Sequence, residues 1–119
     1  MASILVCEDD QRIRDILIFQ LKKGGHVLES AVDGNRGLER ALAEPFDLII
    51  SDLNMPGLNG VELAGALQKA GKATKLVVLT AFVTGDLVDK VRSQPNVAKV
   101  VSKPWDTKQL LEAVEEALA

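Results

Sequence analysis

The sequence predicts a doubly wound α/β domain, with five strands each followed by a helix. Two observations carry that expectation. Short apolar runs alternate with longer stretches of helical periodicity. The runs are also continuous rather than alternating in polarity, which marks strands covered on both faces of a parallel sheet. A third observation bears on chemistry: polar residues close four of the runs, and they are of types that work together.

The runs are Ile4–Cys7, His26–Leu28, Leu48–Ile50, Leu76–Leu79 and Val97–Val101, most of them rich in β-branched residues. After the first, Ile13, Ile16, Leu17 and Leu21 recur at helical spacing until Gly24 and Gly25 end the stretch. A second helical pattern spans Gly37 to Ala43, on Leu38 and Leu42. Asn59 and Glu62 have the spacing of a capping pair ahead of Leu63 and Leu67. A weaker helix is expected from Gly85 to Ser93, with Val88 and Val91 inward. The last begins after Asp106, with Gln109 as its capping partner and an apolar stripe of Leu110, Ala113, Val114, Ala117 and Leu118. No linker or repeat interrupts this order, so residues 1–119 are expected to form one domain.

Composition bounds the rest. A chain of 119 residues that is 47% hydrophobic can bury one sizeable core. Its 14 basic and 17 acidic residues leave a net charge of -3, which gives no electrostatic reason to bind nucleic acid or an anionic membrane. Cys7 is the single cysteine, so no internal disulfide forms, and its apolar run predicts a buried, inert thiol. There is no basic leader followed by a long apolar stretch, and no apolar run of membrane-spanning length. A cytoplasmic setting is the expectation.

In a doubly wound sheet, ligands bind outside the carboxyl ends of the strands. The first run is followed by Glu8, Asp9 and Asp10, the third leads to Asp52, the fourth to Thr80 and the fifth to Lys103. Each has a bland reading of its own: Asp10 reads as a helix cap, and Lys103 alone would be a solvated lysine. Together they bring acids, a hydroxyl and an amine to one rim. Clustered carboxylates repel unless a cation joins them, and hard oxygen donors with room for water suit Mg2+. A carboxylate beside such a cation can attack phosphorus, while a lysine neutralises charge on the transferring oxygens. Neutralising one acid, Asp9 first, is expected to stabilise the metal-free fold.

The chain resembles the receiver domain of bacterial two-component response regulators over essentially its full length. The resemblance rests on Ile4-Leu5-Val6-Cys7-Glu8-Asp9-Asp10, on Asp52-Leu53-Asn54-Met55-Pro56-Gly57 with Gly60 following, on Thr80-Ala81 and on Lys103-Pro104. It implies a flavodoxin-like fold with strand order 2-1-3-4-5. It implies that Asp52 is the phosphoacceptor, served by a partner histidine kinase or phosphotransfer protein, and that the output passes to a downstream protein or output domain. Asp9, Asp52 and the Asn54 backbone carbonyl would ligate Mg2+, with Glu8 acting through water. Thr80 would be the switch hydroxyl and Lys103 the phosphoryl counter-ion, aimed by a cis Lys103–Pro104 bond. Val100 departs from the pattern, since the family commonly has an aromatic three residues before the lysine. Switching is therefore expected to run through the Thr80–Gly85 loop, with Phe82 as the moving group.

Other residues have plainer roles beside functional ones. Met55, Pro56 and Gly57 read as a turn that shapes the site loop. Phe82 is core or a gate, His26 a strand-end residue, and Trp105 either packs at the start of the last helix or half-covers the site. Two rival functions remain distinct. A pseudo-receiver would keep the fold without phosphate control, which the full acid set argues against. A Mg2+-dependent phosphohydrolase would need a second acid two residues after the nucleophile, where Asn54 stands. No phosphate-binding glycine loop follows the first run, so a nucleotide site is not expected.

Overall fold

The most apolar runs become the middle of a sheet, and the more polar ones its edges. The structure is a computed structural model that describes residues 2–81 and 84–119. Along the chain these residues form β1 (Ser3–Cys7), α1 (Gln11–Lys22), β2 (Val27–Ala31), α2 (Gly34–Ala43), β3 (Leu48–Asp52), α3 (Gly60–Lys69), β4 (Lys75–Thr80), α4 (Asp86–Arg92), β5 (Val97–Ser102) and α5 (Thr107–Leu118). The strands are parallel, in the order β2-β1-β3-β4-β5. This is the flavodoxin-like doubly wound sheet.

Alternation along each strand feeds two apolar layers. Leu5, Ile49, Leu76 and Val78 face α2, α3 and α4, where Ala41, Leu63, Leu67, Val88 and Val91 meet them. Ile4, Val6, Leu48, Ile50, Val77 and Leu79 face α1 and α5, against Leu17, Leu21, Leu110 and Val114. β3 is buried at every position, as a strand covered on both faces must be.

The edges depart from the sequence reading. β2 begins at Val27, not His26, and runs on through Glu29 and Ser30. Val27 is 52% exposed, because an outermost strand has a neighbour on one side only. β5 is likewise half-solvated, and a register shift opposite Leu76 and Val77 marks its pairing with β4. Two helices turn differently from their sequence pattern. Ile16 is 52% exposed while Leu17 and Leu21 carry the α1 seam, and Leu42 is exposed although Leu38 packs inward. α2 also starts three residues before the expected Gly37, at Gly34, capped by Asp33 through Arg36 N–H at 2.7 Å.

The predicted caps form. Asn59 and Glu62 exchange reciprocal bonds of 2.9 and 3.0 Å ahead of α3, and Asp106 and Gln109 do the same ahead of α5 at 2.7 and 2.9 Å. Val88 and Val91 are the buried pair of α4. His26 sits just before β2, at the end of the sheet away from the acids, and accepts the Ala2 N–H at 3.3 Å.

Candidate functional site

Strand register decides which chain ends meet. Cys7 pairs with Ser51, so Glu8 comes level with Asp52, and Asp52 in turn pairs with Leu79, one residue before Thr80. The ladder continues past the strands: Leu53 N–H donates to Leu79 O at 2.8 Å, and Lys103 N–H to Thr80 O at 2.7 Å. The carboxyl ends of β1, β3, β4 and β5 are thereby pinned to one rim.

On that rim, Glu8, Asp9 and Asp52 each offer a carboxylate oxygen within 4.8 Å of the others. Glu8 is 1% exposed and Asp52 7%, whereas Asp9 is open to solvent. Lys103 Nζ lies 3.0 Å from Asp52 Oδ2, a charge-assisted bond between partly shielded groups. Thr80 is buried at the last position of β4. Asn54 stands exposed on the loop two residues beyond Asp52. The Lys103–Pro104 bond is cis.

Glu8 carries the electrostatic load. Burial first, and then the Asp52 charge, push its carboxyl up to about 7, against opposing pulls from the Asp10 N–H and from Lys103. Glu8 Oε1 accepts the Asp10 N–H at 3.2 Å, but Oε2 is buried with no hydrogen-bond partner among the described residues. Such an atom calls for a proton or a cation. The donor set is hard oxygen throughout, which suits Mg2+. Cys7, next in line inside the sheet, is buried and its thiol is pushed up to about 12 by burial and then by Asp33, so it is inert as predicted.

The supporting residues were less visible in the sequence. Ser51 is buried and donates to Asp52 O at 2.9 Å. Arg14, one turn into α1, donates from Nη1 to Glu8 O at 2.8 Å and ties that helix to the acid pair. Asp10 is the α1 cap, accepting Arg12 N–H at 2.9 Å, and so is spent outside the acid cluster. The loop after Asp52 is held from the side by α2: a Cβ on Gly34 would overlap the Leu58 carbonyl, and Gly57 has φ 76° beside the Asn35 amide. Met55 is buried under this turn, consistent with a shaping role. Trp105 packs on the α1/α5 layer, so its plainer reading is the observed one. Val100 packs on the opposite layer. Phe82 lies outside the described residues. Among the described residues, no helix is long and apolar enough to cross a membrane.

Comparison with known proteins bears on the family and the fold. The family model described as the response regulator receiver domain matches residues 4–115. The response regulator receiver protein CpdR of Brucella abortus is 33% identical, over 99% of this chain and 98% of its own. The response regulator ArlR of Staphylococcus aureus is 32% identical over 99% of this chain, which spans 53% of that protein's length. Among solved structures, the chemotaxis response regulator CheY4 of Vibrio cholerae superposes with a TM-score of 0.91 at 28% identity, covering 99% of each chain. The response regulator TrrA of Thermotoga maritima, solved in complex with Mg2+-BeF, has a TM-score of 0.84 at 31% identity, covering 99% of this chain and 100% of its own. With the family model matched over nearly its whole length and a 33% identical relative covered end to end, the chain belongs to the response regulator receiver family, the signalling domains of two-component systems.

Proposed function

We propose that Asp52 accepts a phosphoryl group from a partner histidine kinase or phosphotransfer protein, and that the modified domain changes its affinity for an output partner. The observation that carries this is the 3.0 Å pair of Lys103 and Asp52 beside the buried, partnerless Oε2 of Glu8. In this reading an Asp52 carboxylate oxygen attacks the phosphorus of a phosphohistidine. The new O–P bond forms as the P–N bond breaks, and the imidazole leaves with the electron pair and takes up a proton from water. Lys103 exchanges its contact with Asp52 for one with the phosphoryl oxygens, and the Thr80 hydroxyl donates to another. Glu8, Asp9, Asp52 and the Asn54 carbonyl would hold Mg2+, a reading supported by the clustering of the three carboxylates, and the similar TrrA was solved in complex with Mg2+-BeF. When bound, the ion would offset charge among the acids and the incoming phosphate. Water attack on the acyl phosphate would reset the switch.

Residues 1–119 are read as one receiver unit, acting in the cytoplasm where such donors work. The output partner is a downstream protein or an attached output domain. The test is intact-mass spectrometry after acetyl phosphate and Mg2+. The parent should gain one phosphoryl group and Asp52→Asn none. Equal labelling of both removes Asp52 from the role, and an unlabelled parent favours an interaction module outside phosphate control.

A further inference from the structure

The site is assembled from chain segments held by different means. The acids lie at the ends of β1 and β3, inside the sheet. Lys103 instead begins the short segment between β5, which ends at Ser102, and α5, which starts at Thr107. Upstream, Lys103 N–H is tied to Thr80 O at 2.7 Å. Downstream, the Asp106–Gln109 capping box fixes the start of α5. Between them stand Pro104, which has no N–H to give, and Trp105.

One side chain from a distant element grips that middle. Gln20 of α1 accepts the Trp105 indole N–H on Oε1 at 2.8 Å and donates from Nε2 to Thr107 Oγ1 at 3.1 Å. These contacts span 85 and 87 positions of sequence. The indole nitrogen can only donate, so the amide oxygen must face it and the NH2 must face the threonine; the orientation follows from chemistry. Helix pairing does not need this amide, because Leu17, Leu21, Leu110 and Val114 already join α1 to α5 as fully buried apolar contacts. Both Gln20 partners flank the lysine segment. The same helix starts directly after the acids and holds Glu8 through Arg14. α1 therefore connects the acid half of the site to the amine half.

We propose that Gln20 is a positioning residue for Lys103: its amide clamps Trp105 and Thr107 so that the lysine stays aimed at Asp52. The inference rests on the reading of Lys103 as the phosphoryl counter-ion. It requires that loss of the clamp weakens binding of a phosphoryl group while cation binding by the acids is untouched.

The experiment titrates beryllofluoride, at saturating Mg2+, and separately Mg2+ alone, into the full chain by calorimetry. Gln20→Leu removes both bonds at similar volume, and Trp105→Phe removes the N–H while keeping a ring in place. Each should weaken beryllofluoride about fivefold, the scale of one lost hydrogen bond, with Mg2+ affinity within about twofold of the parent. The double variant should be no weaker than Gln20→Leu, since that change alone already removes both bonds of the clamp. Gln20→Glu should restore most of the affinity, because a carboxylate accepts from the indole N–H and from the Thr107 hydroxyl. Lys103→Ala calibrates the scale and should weaken beryllofluoride more than any clamp variant. If Lys103→Ala loses binding while Gln20→Leu and Trp105→Phe bind as the parent does, the clamp has no positioning role. Equal losses for Mg2+ and beryllofluoride, or additive losses in the double variant, overturn it as well. If Lys103→Ala binds as the parent does, the counter-ion reading itself fails and takes this inference with it. Should Gln20→Leu not fold, Trp105→Phe and Gln20→Glu decide the matter.

Discussion

Asp52 and Lys103 form one ion pair, yet the protein holds its two ends in opposite ways. Asp52 closes β3, the central strand, which is buried at all of its positions and paired on both sides. Lys103 follows β5, an edge strand buried at no position and with a register shift in its ladder. The acid is fixed by the sheet. The amine is fixed by a few hydrogen bonds to a loop, of which the Gln20 clamp is one. A buried central strand cannot shift without opening both apolar layers, whereas an edge loop moves at the cost of local bonds only. On the function proposed above, Lys103 is the group that changes partners, and it is the one held on the looser side.

The contrast can be broken first in the core. Val78 of β4 and Val100 of β5 are register partners of the same residue type, one fully buried and one half-buried. Val78→Ala should cost about 2–3 kcal/mol and Val100→Ala about 1 kcal/mol or less, because the edge site is already hydrated and leaves a smaller cavity. Urea unfolding of both variants checks this; equal costs would mean that β5 is as tightly held as the centre.

The next effect sharpens the acid side. The Glu8 carboxyl sits at about 7 in the fold, above its ordinary 4.5. Between those values the folded protein keeps a proton that the unfolded chain has lost, so without metal, stability falls as pH rises. With chelator present, the loss from pH 5 to pH 8 should be about 1–2 kcal/mol, discounted because the site opens toward solvent at Asp9. Glu8→Gln should remove most of that slope and be the more stable protein at pH 8. This shifts the expectation drawn from sequence: the acid whose neutralisation relieves most strain is the buried Glu8, rather than the exposed Asp9. Thermal melts across pH in chelator measure both proteins, and a slope that survives in Glu8→Gln would place the strain elsewhere.

The smallest effect lies on the amine side. Lys103→Met removes a partly exposed ion pair and should cost about 0.5 kcal/mol at neutral pH in chelator. It also removes a cation that holds the Glu8 carboxyl down, so the pH range over which stability is lost should move upward. The same melts read this shift; a downward move would show that Lys103 does not face the acids in solution.

Much of this was legible in the sequence because its physics is local. The apolar runs of β1, β3 and β4, the caps at Asp10, Asn59 and Asp106, and the spacing of Val88 and Val91 along α4 are all patterns within a few residues. The acids, Thr80 and Lys103 could be assigned to one rim because parallel strands put their carboxyl ends on the same side. The tertiary structure decided what depends on neighbours far along the chain. The order of strands made β2 and β5 the edges and left Val27 in solvent. The faces by which α1 and α2 pack on the sheet left Ile16 and Leu42 exposed. Packing around the end of β1 buried Glu8 and raised its carboxyl, and the meeting of α1 with the start of α5 paired Gln20 with Trp105. Residue type and spacing specify what a segment can form alone. Burial, and hence the strength of every charge and polar contact at the site, is set by which segments meet.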